Sequence, residues 1–130
     1  AEVYNTEQRF NAFVKRSREL EAAAREAGNH DVVEALVPVL DDIELARQHG
    51  ELTGPFLAIA DKLEQVLAVR FGVERFGAQG EEFDPNIHEA LMHQADPSVT
   101  GPTIAMVAQP GYRRGANLIR PARVGVVGPE

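Results

Sequence analysis

Val3, Thr6, Phe10, Phe13, Ser17, Leu20, Ala24 and Ala27 fall at alternating spacings of three and four, with mostly Glu, Arg, Lys and Gln between them. That is the seam of a heptad repeat, and it predicts a helix over residues 2–27 with one narrow apolar stripe. Such a helix runs roughly 40 Å at 1.5 Å per residue. A stripe this narrow needs a partner helix to cover it. No second copy of the pattern exists with which the chain could fold back, so parallel self-association through Phe10, Phe13 and Leu20 is the simplest arrangement. Thr6, Ser17, Ala24 and Ala27 seal the seam poorly, which predicts that this pair melts before the rest of the molecule.

Gly28-Asn29-His30-Asp31 reads as a break, with Gly28 as a C′ residue and Asn29 or Asp31 as the next N-cap. A second helix is expected over residues 31–49. Val32, Val33, Leu36, Val37, Leu40, Ile43 and Ala46 make its apolar face, wider than that of the first helix. Pro38 lies inside it and marks either a bend or a misplaced boundary. Gly50 and Gly54-Pro55 frame a short loop in which Thr53 is available as an N-cap. A third helix follows over residues 55–71, with Leu57, Ala60, Leu63, Leu67 and Phe71 on one face and Gly72 at its end. Two short amphipathic helices do not enclose a core, but two chains supply four, which makes a four-helix bundle. Val33, Leu36, Leu40, Ile43, Leu63 and Leu67 are its expected dimer contacts.

From Val73 the period changes to two. Strands are expected at residues 73–76, 89–94, 103–109 and 118–127, separated by turns rich in Gly, Pro and Asn. Pro121, within the last of these, belongs at an edge or a bulge. The predicted class is α+β: a long coiled-coil-like helix, two bundle helices and a small all-β domain. The helical dimerisation region covers residues 1–72 and the β domain residues 73–130.

Composition narrows the chemistry. The 130 residues carry a net charge of −7, and both halves are net acidic. The chain has no Cys, which removes disulfides and thiolate chemistry and suits a reducing compartment such as the cytoplasm. No apolar run approaches the 18 or so residues of a membrane span, and no leader is visible. Arg113, Arg114, Arg120 and Arg123 stand against Glu130 alone in the last stretch. With one nearby aromatic, Tyr112, and an acidic chain overall, they suit a protein partner with an acidic patch better than nucleic acid.

Catalytic motifs are missing. His88-Glu89-Ala90-Leu91-Met92-His93 resembles a zinc-protease box but puts Met92 where the second ligand belongs. At that spacing the two imidazoles diverge on a helix and on a strand, so they are expected to be surface or interface histidines. Glu81, Glu82 and Asp84 form an acidic cluster expected to be solvated. Gly72, Gly77 and Gly80 do not form a phosphate cradle, and Ser17 and Ser98 lie in no nucleophile elbow. No catalytic, cofactor or metal residue is assigned.

Three ordered stretches carry a family resemblance. They are Leu36-Val37-Pro38-Val39-Leu40-Asp41-Asp42-Ile43-Glu44-Leu45-Ala46, then Phe83-Asp84-Pro85-Asn86-Ile87-His88-Glu89-Ala90, then Gly111-Tyr112 followed by Ile119-Arg120-Pro121-Ala122-Arg123-Val124-Gly125-Val126. Phe71-Gly72-Val73-Glu74 and Phe13-Val14-Lys15-Arg16 are weaker matches. The set resembles the GrpE family of nucleotide exchange factors, which has a proline inside a helix where this chain has Pro38. The resemblance implies an elongated homodimer that binds the nucleotide-binding domain of a DnaK-type chaperone, opens its cleft and speeds ADP release. By position it places chaperone contacts at Phe83, Asp84, Pro85 and His88, at Arg120, Pro121 and Val126, and at Arg47 and His49. Ordinary core packing is the competing role for Phe83 and Val126, and a structural turn for Asp84-Pro85. The alternatives from the residues alone are a coiled-coil scaffold without exchange activity, a small hydrolase using His88 with an acidic residue, and nucleic-acid binding through the C-terminal arginines.

Overall fold

The structure, a computed structural model, describes residues 2–129. It is α+β: a long N-terminal helix α1 (Glu2–Gln48), a second helix α2 (Pro55–Phe71) and six short strands. By contact the chain divides into two compact units, residues 1–35 and 36–130.

The first unit is helical throughout its described residues. Phe10, Phe13 and Leu20 are 64%, 68% and 61% exposed. The expected break at residues 28–31 is absent: α1 runs through Gly28, and the helices expected at 2–27 and 31–49 are one. A glycine in a helix interior costs about 1 kcal/mol. Ending the helix there would strand four carbonyls and four N–H groups. Val33, Val37 and Leu40, all buried, contribute about 1.5–3 kcal/mol each, so packing outweighs the local signal. Pro38 sits within the helix as expected and is exposed.

In the second unit the end of α1 and α2 run antiparallel, joined by residues 49–54. Arg47 Nη2 reaches Glu64 at 3.0 Å and Asp61 at 3.7 Å. Leu40, Leu67 and Ala68 share a cavity of about 210 Å³ with Val73, Arg75 and Tyr112. Gly54 rather than Thr53 is the N-cap of α2; it makes no side-chain cap bond, and Pro55 supplies the preset first turn instead. Gly72 closes the helix in the left-handed conformation at φ 66°, which a side chain would strain.

The strands are β1 (Val73–Phe76), β2 (His88–Ala95), β3 (Thr103–Gln109), β4 (Gly111–Arg114), β5 (Asn117–Arg120) and β6 (Ala122–Gly128). They form two three-stranded sheets, ordered β1-β4-β5 and β2-β6-β3. β2 runs parallel to β6, and the other pairs are antiparallel. Phe76 from the first sheet packs with Ile104, Ala122, Val124 and Val126 from the second, and Phe83, Ile87 and Val107 close the edge of this core. At Gly111 a Cβ would collide with the Phe76 ring, so close packing of β4 on that ring requires glycine.

Two strand expectations change. The single strand expected over residues 118–127 is β5 and β6 divided at Pro121, where the missing N–H ends one ladder and the chain passes to the other sheet. β4 was hidden in what reads as a turn. Arg113 and Arg114 are strand residues, and the turn is Gly115-Ala116.

Candidate functional site

The apolar face of α1 continues into charge. Val33, Val37, Leu40, Glu44 and Arg47 follow one another at spacings of four and three, so the last two lie on the face that Leu40 buries. Glu44 Oε2 accepts from Arg47 at 3.1 Å and from Arg75 of β1 at 2.8 Å. Burial alone would raise the Glu44 carboxyl, but Arg75 and Arg47 together hold it below its ordinary range. The hydrogen bond from Arg47 to Glu64 raises the guanidinium in turn. One carboxylate thereby joins α1 to the β domain, and Arg47 joins α1 to α2.

A second tie lies at Asp41. Arg120 of β5 donates to Asp41 Oδ2 at 2.6 Å and Oδ1 at 2.8 Å, a bidentate pair. Its Nε and Nη2 also donate to the Pro110 carbonyl at 3.2 and 2.7 Å, and its guanidinium carbon lies 5.4 Å from the Tyr112 ring centroid. Burial pushes the Tyr112 phenol up.

The other C-terminal arginines also have partners within the chain. Arg113 pairs with Glu74 at 3.1 Å, its register neighbour on β1, and Arg123 lies 3.8 Å from Glu89, its neighbour on β2. Arg114 is buried and donates to the Phe71 carbonyl at 2.8 Å. Arg114 and Arg120 are therefore ties within the second unit, whereas Arg113 and Arg123 make surface pairs.

The loop between β1 and β2 carries the other group of candidates. Its first part is pinned along β3: Gly80 N–H donates to Ile104 O, Ile104 N–H to Glu81 O, and Phe83 N–H to Pro102 O, all between 2.9 and 3.0 Å. Next comes a tight turn in which Ile87 and His88 N–H donate to Asp84 O at 3.1 and 2.8 Å, and Asn86 N–H to Asp84 Oδ1 at 2.9 Å. Glu81, Glu82, Phe83, Asp84, Pro85, Ile87 and His88 line one open cleft.

The structure brings Phe83, Asp84, Pro85 and His88 together. Phe83 is half-buried against the core, Asp84 builds the turn and Pro85 is exposed. His88 corrects the surface expectation: it is 5% exposed, whereas His93 is exposed. Val126 lies in the core at 3% exposure. Pro121 is half-buried at the corner between β5 and β6, and His49 is exposed just beyond α1. Val33, Leu40 and Leu67 are buried within the one chain, while Leu36, Ile43 and Leu63 are half-buried. Val39 on α1 and Phe56, Ile59 and Val66 on α2 are exposed.

Sequence reasoning missed Asp41, Glu44 and Arg75 as positioning groups. The signal was available in charged residues that keep the period of a buried helix face. Among the described residues no group of three or more His, Asp or Glu is placed to hold a metal ion, and no helix is long and apolar enough to cross a membrane.

The family described as GrpE matches residues 1–128. Protein GrpE of Streptomyces coelicolor is 46% identical over 123 residues, covering 95% of this chain and 53% of its own length. Protein GrpE 1 of Streptomyces avermitilis is 47% identical over 123 residues, covering 95% and 54%. Protein GrpE of Mycobacterium bovis is 40% identical over 129 residues, covering 98% and 54%. The chain spans about half the length of these relatives. With the family matched from end to end of the helices and the β domain, this chain belongs to the GrpE family.

Proposed function

We propose that this chain acts as a homodimeric nucleotide exchange factor for a DnaK-type chaperone in the cytoplasm, binding its nucleotide-binding domain and accelerating ADP release. The observation that carries the reading is the GrpE match over residues 1–128. The geometry is consistent with it in two respects. The Phe83-Asp84-Pro85 turn stands on a β domain tied to the end of α1 by Asp41–Arg120 and Glu44–Arg75, which supports the turn where a partner would bind. The exposed Phe10, Phe13 and Leu20, and the exposed Val39, Phe56, Ile59 and Val66, offer apolar surface for a second copy, with a four-helix bundle as the arrangement.

Exchange of this kind makes and breaks no covalent bond. The factor has only to bind the open chaperone better than the ADP-closed one. Each tenfold loss of ADP affinity needs about 1.4 kcal/mol of that preference, and by linkage ADP weakens the factor's own binding equally.

The test is stopped-flow release of a fluorescent ADP analogue from a bacterial DnaK with unlabelled nucleotide in excess. Saturable acceleration is expected. A chain shown to be dimeric and to bind the chaperone, yet without effect on release, would instead be a scaffold.

A further inference from the structure

We propose that His88 is a positioning residue. As a neutral imidazole with its proton on Nε2, it holds the turn that presents Asp84 and Pro85 and fixes Phe83 beside them. The functional half of this inference rests on the exchange reading; the structural half does not.

Asp84 N–H donates to His88 Nδ1 at 2.8 Å. A backbone N–H can only donate, so Nδ1 must offer a lone pair and the proton of the neutral ring is on Nε2. The ring is buried, 6.0 Å from the Phe76 centroid and 5.9 Å from that of Phe83, tilted at 40° and 34°. One side chain therefore holds two parts of the loop, the backbone at Asp84 through a directional bond and the Phe83 ring through packing. The bonds from Ile87 and His88 N–H to Asp84 O close the turn on the same residue, so Asp84 gives and accepts within a single closed set. Without the imidazole acceptor, the Asp84 N–H loses its partner at the start of the turn, between the Phe83 N–H bond to Pro102 O and the bonds that Asp84 O accepts.

Of the residues lining the cleft, Pro85 is exposed and Asp84 half-buried, while His88 is buried. His88 was expected to touch the chaperone itself; its burial assigns it to shaping the surface that does.

Two experiments test the role on the full chain. In a ¹⁵N-labelled sample, long-range ¹H–¹⁵N correlation should show His88 with a pyridine-like Nδ1 and a pyrrole-like Nε2. A ring protonated on Nδ1 overturns the proposal. His88→Leu fills the space without an acceptor, whereas His88→Asn places Oδ1 near the position of Nδ1. Leu should lower Asp84 amide protection from hydrogen exchange by on the order of tenfold, and Asn should recover most of it. ADP release from the chaperone should follow the same order, with Leu slower than Asn. Equal behaviour of the two variants, with both chains folded by circular dichroism, overturns the proposal. If the unaltered chain fails to accelerate release, the exchange reading falls, while the tautomer and the Asp84 amide still decide the positioning role.

Discussion

The start and the end of α1 are the same kind of helix in opposite circumstances. Over its first 27 residues the periodic apolar positions are exposed, with Phe10, Phe13 and Leu20 all above 60%. From Val33 onward the periodic face is buried, and Asp41, Glu44 and Arg47 extend it into ion pairs. An amphipathic pattern states that a face must be covered, but not by what. The end of α1 is tied to α2 and the β domain within its own chain, whereas the face at its start is exposed.

The contrast is broken most directly from the buried side. Ile104 is 1% exposed at the centre of the β core, so Ile104→Ala should destabilise the second unit by about 2–5 kcal/mol. Denaturant unfolding followed through β-domain signals measures this. An effect confined to the helix signal would contradict it.

Next in size is the Asp41–Arg120 pair. Its side chains are 27% and 20% exposed, and removing one partner leaves the other half-buried and unpaired. Asp41→Ala should therefore cost about 2 kcal/mol. In a double-mutant cycle with Arg120→Ala the two losses should fall well short of adding. Full additivity would show that the pair does not join helix to sheet.

The Glu44 tie is read through pH. Its folded carboxyl lies below the ordinary range because of Arg75 and Arg47, against the opposing effect of burial. The stability it contributes is therefore present above the unfolded value of about 4.3 and disappears as pH falls through the depressed folded value. Glu44→Gln should lower the melting temperature at neutral pH, and the gap from the parent chain should close in acid. A gap that does not change with pH would exclude the charge as its source.

The smallest effect should come from the exposed side. Phe13→Ala should change β-domain stability by less than about 0.5 kcal/mol while weakening self-association measured by sedimentation. In the parent chain, heating should lose part of the helix signal before the β-domain signal. A single coincident transition would show that the start of α1 is as well supported as its end.

Much of the architecture was legible. Alternating spacings located the helical stretches, the change to period two at Val73 located β1, and Thr103–Gln109 was found whole. The errors share a cause. Gly28 reads as a terminator, and Arg113-Arg114-Gly115 reads as a turn, because each follows local preference. Tertiary packing overrode both: the buried Val37 and Leu40 in one case, the pairing of β4 with β1 and β5 in the other. At the candidate site, Phe83-Asp84-Pro85 and His88 were found as a motif. That His88 lies under the turn depends on the packing of Phe76, which comes from another strand.

By itself the sequence determined where helix gives way to strand, most of the elements and, through three ordered motifs, the family resemblance. Periodicity and turn chemistry act between neighbours, and motifs are strings. Only the tertiary structure decided which charges are spent internally, which apolar stripe is left uncovered and which histidine is buried. A side chain's partner can stand 79 residues away, as Asp41 does from Arg120. Desolvation and ion pairing depend on that distance in space, which no local pattern contains.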